Sequence, residues 1–357
     1  MSHLEGGRIS QAYTAYVGRK ALLVMGLVIV CIVLFILAMI FGAVRVPLGE
    51  FLRSLAGTPT DPRFRIIIKS IRLPHAFAAL LAGAGLAAAG TAMQSILRNP
   101  LGSPFTLGLS QAGAFGAAFA VSLLGTGKMQ STQVGAVSIS DPYLTTLAAF
   151  GACLATSIVI IAIARIRGVT PEVMVLSGVA LGSLFSAGTM FLQYFADDVQ
   201  LAAMVFWTFG DVGRAGWREV GWMAVVVLSG LLFFYLNRWN YNAIDAGDET
   251  AKGLGVRVEQ ARMAGMAVAS LITALITAFL GVIGFVGLIR PHIVRRMIGD
   301  DHRFLLPAAS LTGAALLLAS DTAARLVLAP HVLPVAVLTA FLGAPIFLYL
   351  LIRGWMR

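Results

Sequence analysis

Charged residues cluster along this chain, and the stretches between the clusters are long and apolar. Windows with no Asp, Glu, Lys or Arg run from 21 to 44, 76 to 97, 99 to 127, 142 to 164, 173 to 196, 220 to 237, 263 to 289, 304 to 320 and 326 to 352. A spanning helix needs about 20 mostly apolar residues, and each window comes close to that length or exceeds it. Barrel strands would instead show segments of about ten residues with alternating polarity, so Ala-, Leu- and Val-rich windows predict helices. The stretch 263–299, which opens with the seventh window, is broken by Gly281, Gly284, Gly287 and Pro291. It is long enough to cross, turn and return as a shorter helix ending at Arg295 and Arg296, which gives ten spans with both termini on one side.

Glycine recurs inside the windows, at Gly83, Gly85, Gly90, Gly178, Gly182, Gly281, Gly284 and Gly287 among others. Lipid gives apolar helices no hydrophobic reason to associate, so small residues that let backbones approach predict a compact bundle. A second irregularity lies at 98–108, where Pro100, Gly102, Pro104 and Gly108 break the apolar pattern. Such backbone is tolerated at membrane depth only against protein or a water-filled cavity.

Composition sharpens this picture. Only 12% of the 357 residues are charged and 59% are hydrophobic, whereas a soluble domain carries about 25% charged residues. Soluble enzymes, nucleic-acid modules and secreted disulfide scaffolds are excluded. The net charge of +10 is spread over short loops and forms no stripe, so no nucleic-acid partner is expected. With the termini inside, 16 of the 26 basic residues lie on the cytoplasmic side, which obeys the positive-inside bias weakly. Six of the other ten, Arg45, Arg53, Arg63, Arg65, Lys69 and Arg72, crowd into the first outer loop, 45–75. That local excess calls for its own reason.

Residues 1–20 read as a retained polar tail, because no clean cleavage site follows the first window. Cys31 and Cys153 both fall inside apolar windows, where packing is the expected role. No phosphate-binding Gly-x-x-x-x-Gly-Lys-Ser/Thr run occurs, so the chain itself holds no nucleotide by that device. The five histidines are scattered without metal-ligand spacing, and Ser110 lacks partners for nucleophilic chemistry. Among acids at the spans, Asp321 alone sits where ion coupling could use it. These features describe a conduit whose energy comes from elsewhere, with an ion-coupled secondary transporter open as the alternative. One further polar segment, within 238–262, places Asp245, Asp248 and Glu249 ahead of Lys252 and Arg257 with glycines between them. Acids first and bases last predict one or two short helices between two spans.

Several blocks together carry a family resemblance. They are Arg72-Leu73-Pro74; Gly90-Thr91-Ala92-Met93-Gln94 followed by Arg98-Asn99-Pro100-Leu101; Gly281 through Leu288 with Pro291-His292-Ile293; and Leu333-Pro334 through Leu342-Gly343-Ala344-Pro345. In this order and spacing the chain resembles, over 21–353, the permease subunits of type II ATP-binding-cassette importers, which take up iron chelates, haem and vitamin B12. The resemblance implies an all-α integral membrane fold of ten transmembrane helices, a single permease domain over 21–357 and a prokaryotic inner-membrane location with cytoplasmic termini. It implies a second permease copy, two ATPase subunits that bind the ATP and magnesium, and a soluble substrate-binding protein. No cofactor, metal or catalytic residue is expected on this chain.

The resemblance also assigns residues. Segment 240–259 becomes the ATPase-coupling element through Asp248, Glu249, Ala251, Gly253, Leu254 and Gly255. The positive outer loop becomes a docking surface for the binding protein through Arg72 and Arg325, with Arg63, Arg65 and His75 beside them; His75 stands where the family has a further arginine. Arginine suits that role because its planar fork meets a carboxylate at two points. The Asn-Pro-Leu turn becomes a cytoplasmic gate through Asn99 and Leu101, with Thr170 on a matching turn. Met93, Gln94, Met174, Met190 and Gln193 are candidate path-lining residues. Arg290 departs from the family, which has an apolar or small residue before Pro-His. The cargo implied first is a ferric siderophore, with haem or cobalamin as alternatives.

Overall fold

A computed structural model describes residues 11–42, 44–58, 61–129, 137–139, 141–328 and 331–354. The chain begins with α1 (Gln11–Ile40), then the short amphipathic α2 (Leu48–Ala56) and α3 (Pro62–Ile66). A π-helical turn over Ile67–Arg72 joins α3 to α4 (Leu73–Ile96). An irregular turn leads to α5 (Leu109–Leu123) and to a hairpin in which β1 (Gly127–Met129) pairs antiparallel with β2 (Val137–Ile139). There follow α6 (Pro142–Arg167), α7 (Pro171–Phe195), α8 (Asp198–Thr208) and α9 (Trp217–Leu236). The short α10 (Arg238–Asp245) and α11 (Asp248–Gly253) precede α12 (Val258–Leu280), α13 (Val286–Ile298), α14 (His302–Val327) and α15 (Val335–Gly354).

The protein is thus an all-α, multi-spanning membrane protein apart from one small hairpin. Seven helical stretches among the described residues are long and apolar enough to cross a membrane alone, not ten: Tyr13–Ile40, Pro62–Ile96, Pro142–Arg167, Pro171–Phe195, Trp217–Leu236, Val258–Leu280 and His302–Val327. The apolar helices α5 and α13 are cut short by their sequence. Gly108, at φ 79°, sets the start of α5, while Gly281 at φ 81° and Phe285 at φ 67° divide the 263–299 stretch into α12 and α13. Phe285 is one of two non-glycine residues with positive φ among the described residues, a costly conformation that persists only where surroundings enforce it.

Two stretches differ from their sequence reading. Helix α1 starts at Gln11, inside the segment read as a tail. Segment 45–75 is mostly helical: α2 lies in it, and the helical path into α4 starts at Pro62. Capping chemistry explains several starts. Asp141 and Thr170 accept from the backbone N–H groups of Leu144 (3.0 Å) and Val173 (3.4 Å), each with proline at the next position. Both are favourable N-terminal arrangements.

Helix α4 occupies the middle of the bundle and is buried along nearly its whole length. Its neighbours approach through glycine: Gly83 abuts Gly313 and Ala314 of α14, and Gly90 abuts the backbone of Gly287 in α13. A Cβ at Gly90 would fall inside the van der Waals radius of the Gly287 carbonyl oxygen. Gly221 in α9 faces open space. We therefore expect Gly90→Ala to lower stability by about 1–3 kcal/mol or more through overpacking, whereas Gly221→Ala should be neutral or mildly stabilising. Thermal unfolding of the purified variants in detergent checks this; equal midpoints for both would refute the tight α4–α13 contact.

Candidate functional site

The charged and polar side chains that the sequence scatters over 95–302 meet at one end of the bundle, around α10 and α11. Asp245, at the end of α10, lies 3.1 Å from the Ser95 hydroxyl of α4 and 3.4 Å from the Arg295 guanidinium of α13. Arg295 also bonds Asp300 at 2.9 Å. Burial pushes the Asp245 carboxyl above the usual carboxylate range, and the Arg295 charge and Ser95 hydroxyl pull it back only in part. His302, wholly buried at the start of α14, packs against Tyr241 with ring centroids 5.7 Å apart.

Asn242 fixes the orientation of that histidine. Its Nδ2 donates to Asp301 (3.2 Å), so its Oδ1 is the acceptor for the backbone N–H of His302 (2.9 Å) and for the ring Nδ1 (2.9 Å). The ring therefore carries its proton on Nδ1, and Nε2 lies 3.0 Å from the Ser95 Oγ, whose single proton serves either Asp245 or this nitrogen. Burial acts to raise the Asp301 carboxyl, but hydrogen bonds from Arg303 and Asn242 outweigh it and hold the group below its ordinary value.

A second cluster surrounds Arg262, which lies 2% exposed in the first turns of α12. Its Nη1 and Nη2 donate to the two carboxylate oxygens of Asp248, each at 2.8 Å. Its Nε donates to the Ile96 carbonyl at 3.0 Å and Nη1 also reaches the Val169 carbonyl at 3.4 Å. Arg98, with φ 44°, approaches Asp248 from outside at 3.9 Å. Between the two clusters lies a cavity of about 570 Å³ bounded by Gln94, Arg98, Asn99, Asn242, Asp245 and Arg295.

The residues singled out in the sequence are distributed as follows. Asp248 is tied to Arg262, Glu249 is exposed and pairs with Lys252 at 3.1 Å, and Ala251 is the buried residue of α11. Gly253, Leu254 and Gly255 form the exposed tip, with Leu254 69% exposed. Asn99 Oδ1 accepts from the Leu101 backbone N–H at 2.8 Å, shaping the turn, and the Leu101 side chain is exposed. Thr170 is exposed on the α6–α7 turn, next to the Val169 that Arg262 holds.

Gln94 lines the cavity, and Met190 borders a recess of about 680 Å³ on α5 and α7. Met93 and Met174 are fully buried and contribute to packing instead of bounding either space, and Gln193 is half-buried. At the opposite end, Arg72 is buried, its guanidinium donating to the carbonyls of Met39 and Val44 at the end of α1. Carbonyls left free by α1 and the loop after it are its partners within the chain. Arg325 is held by Asp321 at 2.7 Å, and His75 is half-buried in the first turn of α4. Arg63 and Arg65 are exposed on α3. The Arg290 side chain lies outside the described residues.

Sequence reasoning passed over Ser95, Asn242, Arg262, Arg295 and His302. A signal existed for Arg262: it shares one helical stripe with the buried Val258, Gly265, Met266 and Ala269, and a lone charge on a buried stripe must have a partner. The others carry none, because their partners come from distant segments.

The FecCD transport family matches residues 30–353, and the chain belongs to that family. An ABC transporter permease protein of Methanocaldococcus jannaschii is 51% identical over 349 residues, 98% of this chain and 99% of that protein. The hemin transport system permease HmuU of Yersinia pestis is 37% identical over 301 residues, 84% of this chain and 87% of its own. A solved inward-facing conformation of a metal-chelate type ABC transporter superposes with a TM-score of 0.80 at 28% identity, covering 92% of this chain and 98% of that one. As a family member the chain is a non-catalytic permease subunit, working with a separate ATPase and a substrate-binding protein.

The Asn242 bonds generate a prediction. Asn242→Ala removes the acceptor for two His302 N–H groups and should cost about 1–3 kcal/mol, read as a lower unfolding midpoint. An unchanged midpoint would show that α10 is not anchored to α14 by this amide.

Proposed function

We propose that this chain is the permease half of an ATP-driven importer of a ferric siderophore, two copies enclosing the translocation path in a prokaryotic inner membrane. Each copy crosses ten times in this reading: the seven long stretches and α15, with the shorter α5 and α13 supported against protein. Both termini face the cytoplasm. The observation that carries the reading is the α10–α11 segment, whose exposed tip at Leu254 projects while its root is bonded to α4, α12, α13 and α14. An apolar tip on a braced root fits a knob seated in a partner cleft, and a rigid knob passes a partner's movement to the spans behind it. The recess on α5 and α7, with Gly178, Gly182, Ser183 and Met190, supports a second copy packing over small residues.

The gate in this reading is the turn carrying Asn99 and Leu101, with Thr170 opposite. Gln94 borders the path, and Met190 and Gln193 face the companion copy. Docking of the binding protein rests on the exposed Arg63 and Arg65, with Arg325 and His75 deeper; Arg72 supports the loop from below. The similarity to a metal-chelate type transporter supports iron chelates first, and the similarity to a hemin permease keeps haem beside them, with cobalamin the third cargo of this class.

Tagged chain, gently extracted from its native membrane, should bring down an ATPase whose hydrolysis vanadate inhibits. Leu254→Asp should reduce that recovery at least tenfold while the permease remains folded; undiminished recovery would remove α11 from the contact. A chain that purifies alone and still transports in vesicles would point to the ion-coupled alternative. Arg63→Glu with Arg65→Glu should weaken binding-protein affinity several-fold with ATPase assembly intact, measured on the complex in nanodiscs. Loading the binding protein with ferric hydroxamate, haem or cobalamin in turn tests the cargo.

A further inference from the structure

The proposed gate consists of two turns that are far apart in sequence, 97–108 after α4 and 168–170 before α7. Movement of α11 must reach both if they are to open together. The guanidinium of Arg262 touches all three places. Its Nη1 and Nη2 hold the two Asp248 oxygens at 2.8 Å, at the first residue of α11. Its Nε holds the carbonyl of Ile96, the last residue of α4 and three positions before Asn99, at 3.0 Å. Its Nη1 also reaches the carbonyl of Val169, the residue before Thr170, at 3.4 Å.

A guanidinium is planar and its donors point in fixed directions, so the three attachments share one rigid plate. The group is almost fully buried, where partners are held firmly because any lost bond leaves an uncompensated charge. The neighbouring Asp245 cluster makes a different set of links, from α10 to α4, α13 and α14. It therefore ties the knob to the bundle without touching the 168–170 turn. Bundle packing itself has other sources as well, in the glycine contacts of α4 with α13 and α14.

We propose that Arg262 is the positioning residue that couples displacement of α11 to both gate turns at once. The inference rests on the importer reading above, and deepens it. It predicts that the two turns respond to nucleotide as a pair, and that the fork shape of the side chain matters as much as its charge.

The experiment uses complexes isolated through a tag on the copurified ATPase, so that every sample retains that partner. Cysteine is placed singly at Leu101 (Leu101→Cys) or Thr170 (Thr170→Cys), both exposed, and labelled with a water-soluble maleimide with and without ATP and vanadate. The native Cys31 and Cys153 are buried and give the background. With Arg262 present, the labelling rate at both positions should change several-fold on trapping with vanadate. Arg262→Met should abolish the change at both positions to within twofold, and Arg262→Lys, which keeps charge but not the fork, should restore it at one position at most. Nucleotide-dependent changes at both positions in Arg262→Met, equal to those with arginine, would overturn the proposal. Should Arg262→Met fail to fold, Asp248→Asn leaves the guanidinium bonds to Ile96 and Val169 in place and weakens only the α11 arm; it should also lose both responses, and wild-type responses there would overturn the proposal equally. If the unsubstituted chain brings down no ATPase, the importer reading fails and takes this inference with it, an outcome distinct from the labelling results.

Discussion

The rest of the structure depends on the backbone contact that glycine permits around α4. In lipid, helices gain little from hiding apolar side chains from one another, so close van der Waals approach must hold them. Gly83 and Gly90 bring α14 and α13 against α4 with no side chain between them. Once that contact is made, Ser95 and Ile96 at the end of α4 fall within reach of Asp245, His302 and Arg262. The polar network at the α10–α11 end is therefore a consequence of packing in the apolar part of the bundle.

Charge in this molecule follows a single rule. A buried ion is expensive unless a partner or a set of dipoles replaces water. Arg262 meets Asp248, Arg325 meets Asp321, and Arg72 meets the carbonyls at the end of α1. The two arginines that the family motif assigns to docking thus have inward partners, while Arg63 and Arg65 have none among the described residues beyond local backbone capping. The exposed positive charge of Arg63 and Arg65 is carried by a short helix standing ahead of α4.

The membrane class was legible from nine uncharged windows, and α12 and α13 from three glycines inside one of them and a proline just beyond it. Tip and root of the α10–α11 segment could be seen as a polar run with acids first. What could not be read was the root's attachment, because Ser95, Asp245, Arg295 and His302 come from four segments and local pattern says nothing of their meeting. The same limit governs methionine: Met93, Met174 and Met190 look alike in sequence, yet the first two are enclosed and the third is 67% exposed. The breaks at Gly108 and Gly281, both at positive φ, could be read from the sequence, whereas the positive φ of Phe285 could not.

The π-helical turn over Ile67–Arg72 carries a consequence for the exposed charge on α3. Such a turn is in effect an α-helix that has accepted one additional residue. Each residue of a regular helix advances the azimuth by about 100°, so the insertion sets α3 at a different angle about the axis of α4 than a plain helix would. The compass bearing of Arg63 and Arg65 is thus written into Ile67–Arg72. Loss of one residue there would swing the whole cationic face by about a quarter turn with every arginine retained, so the direction in which that charge is presented is set by backbone that carries none of it.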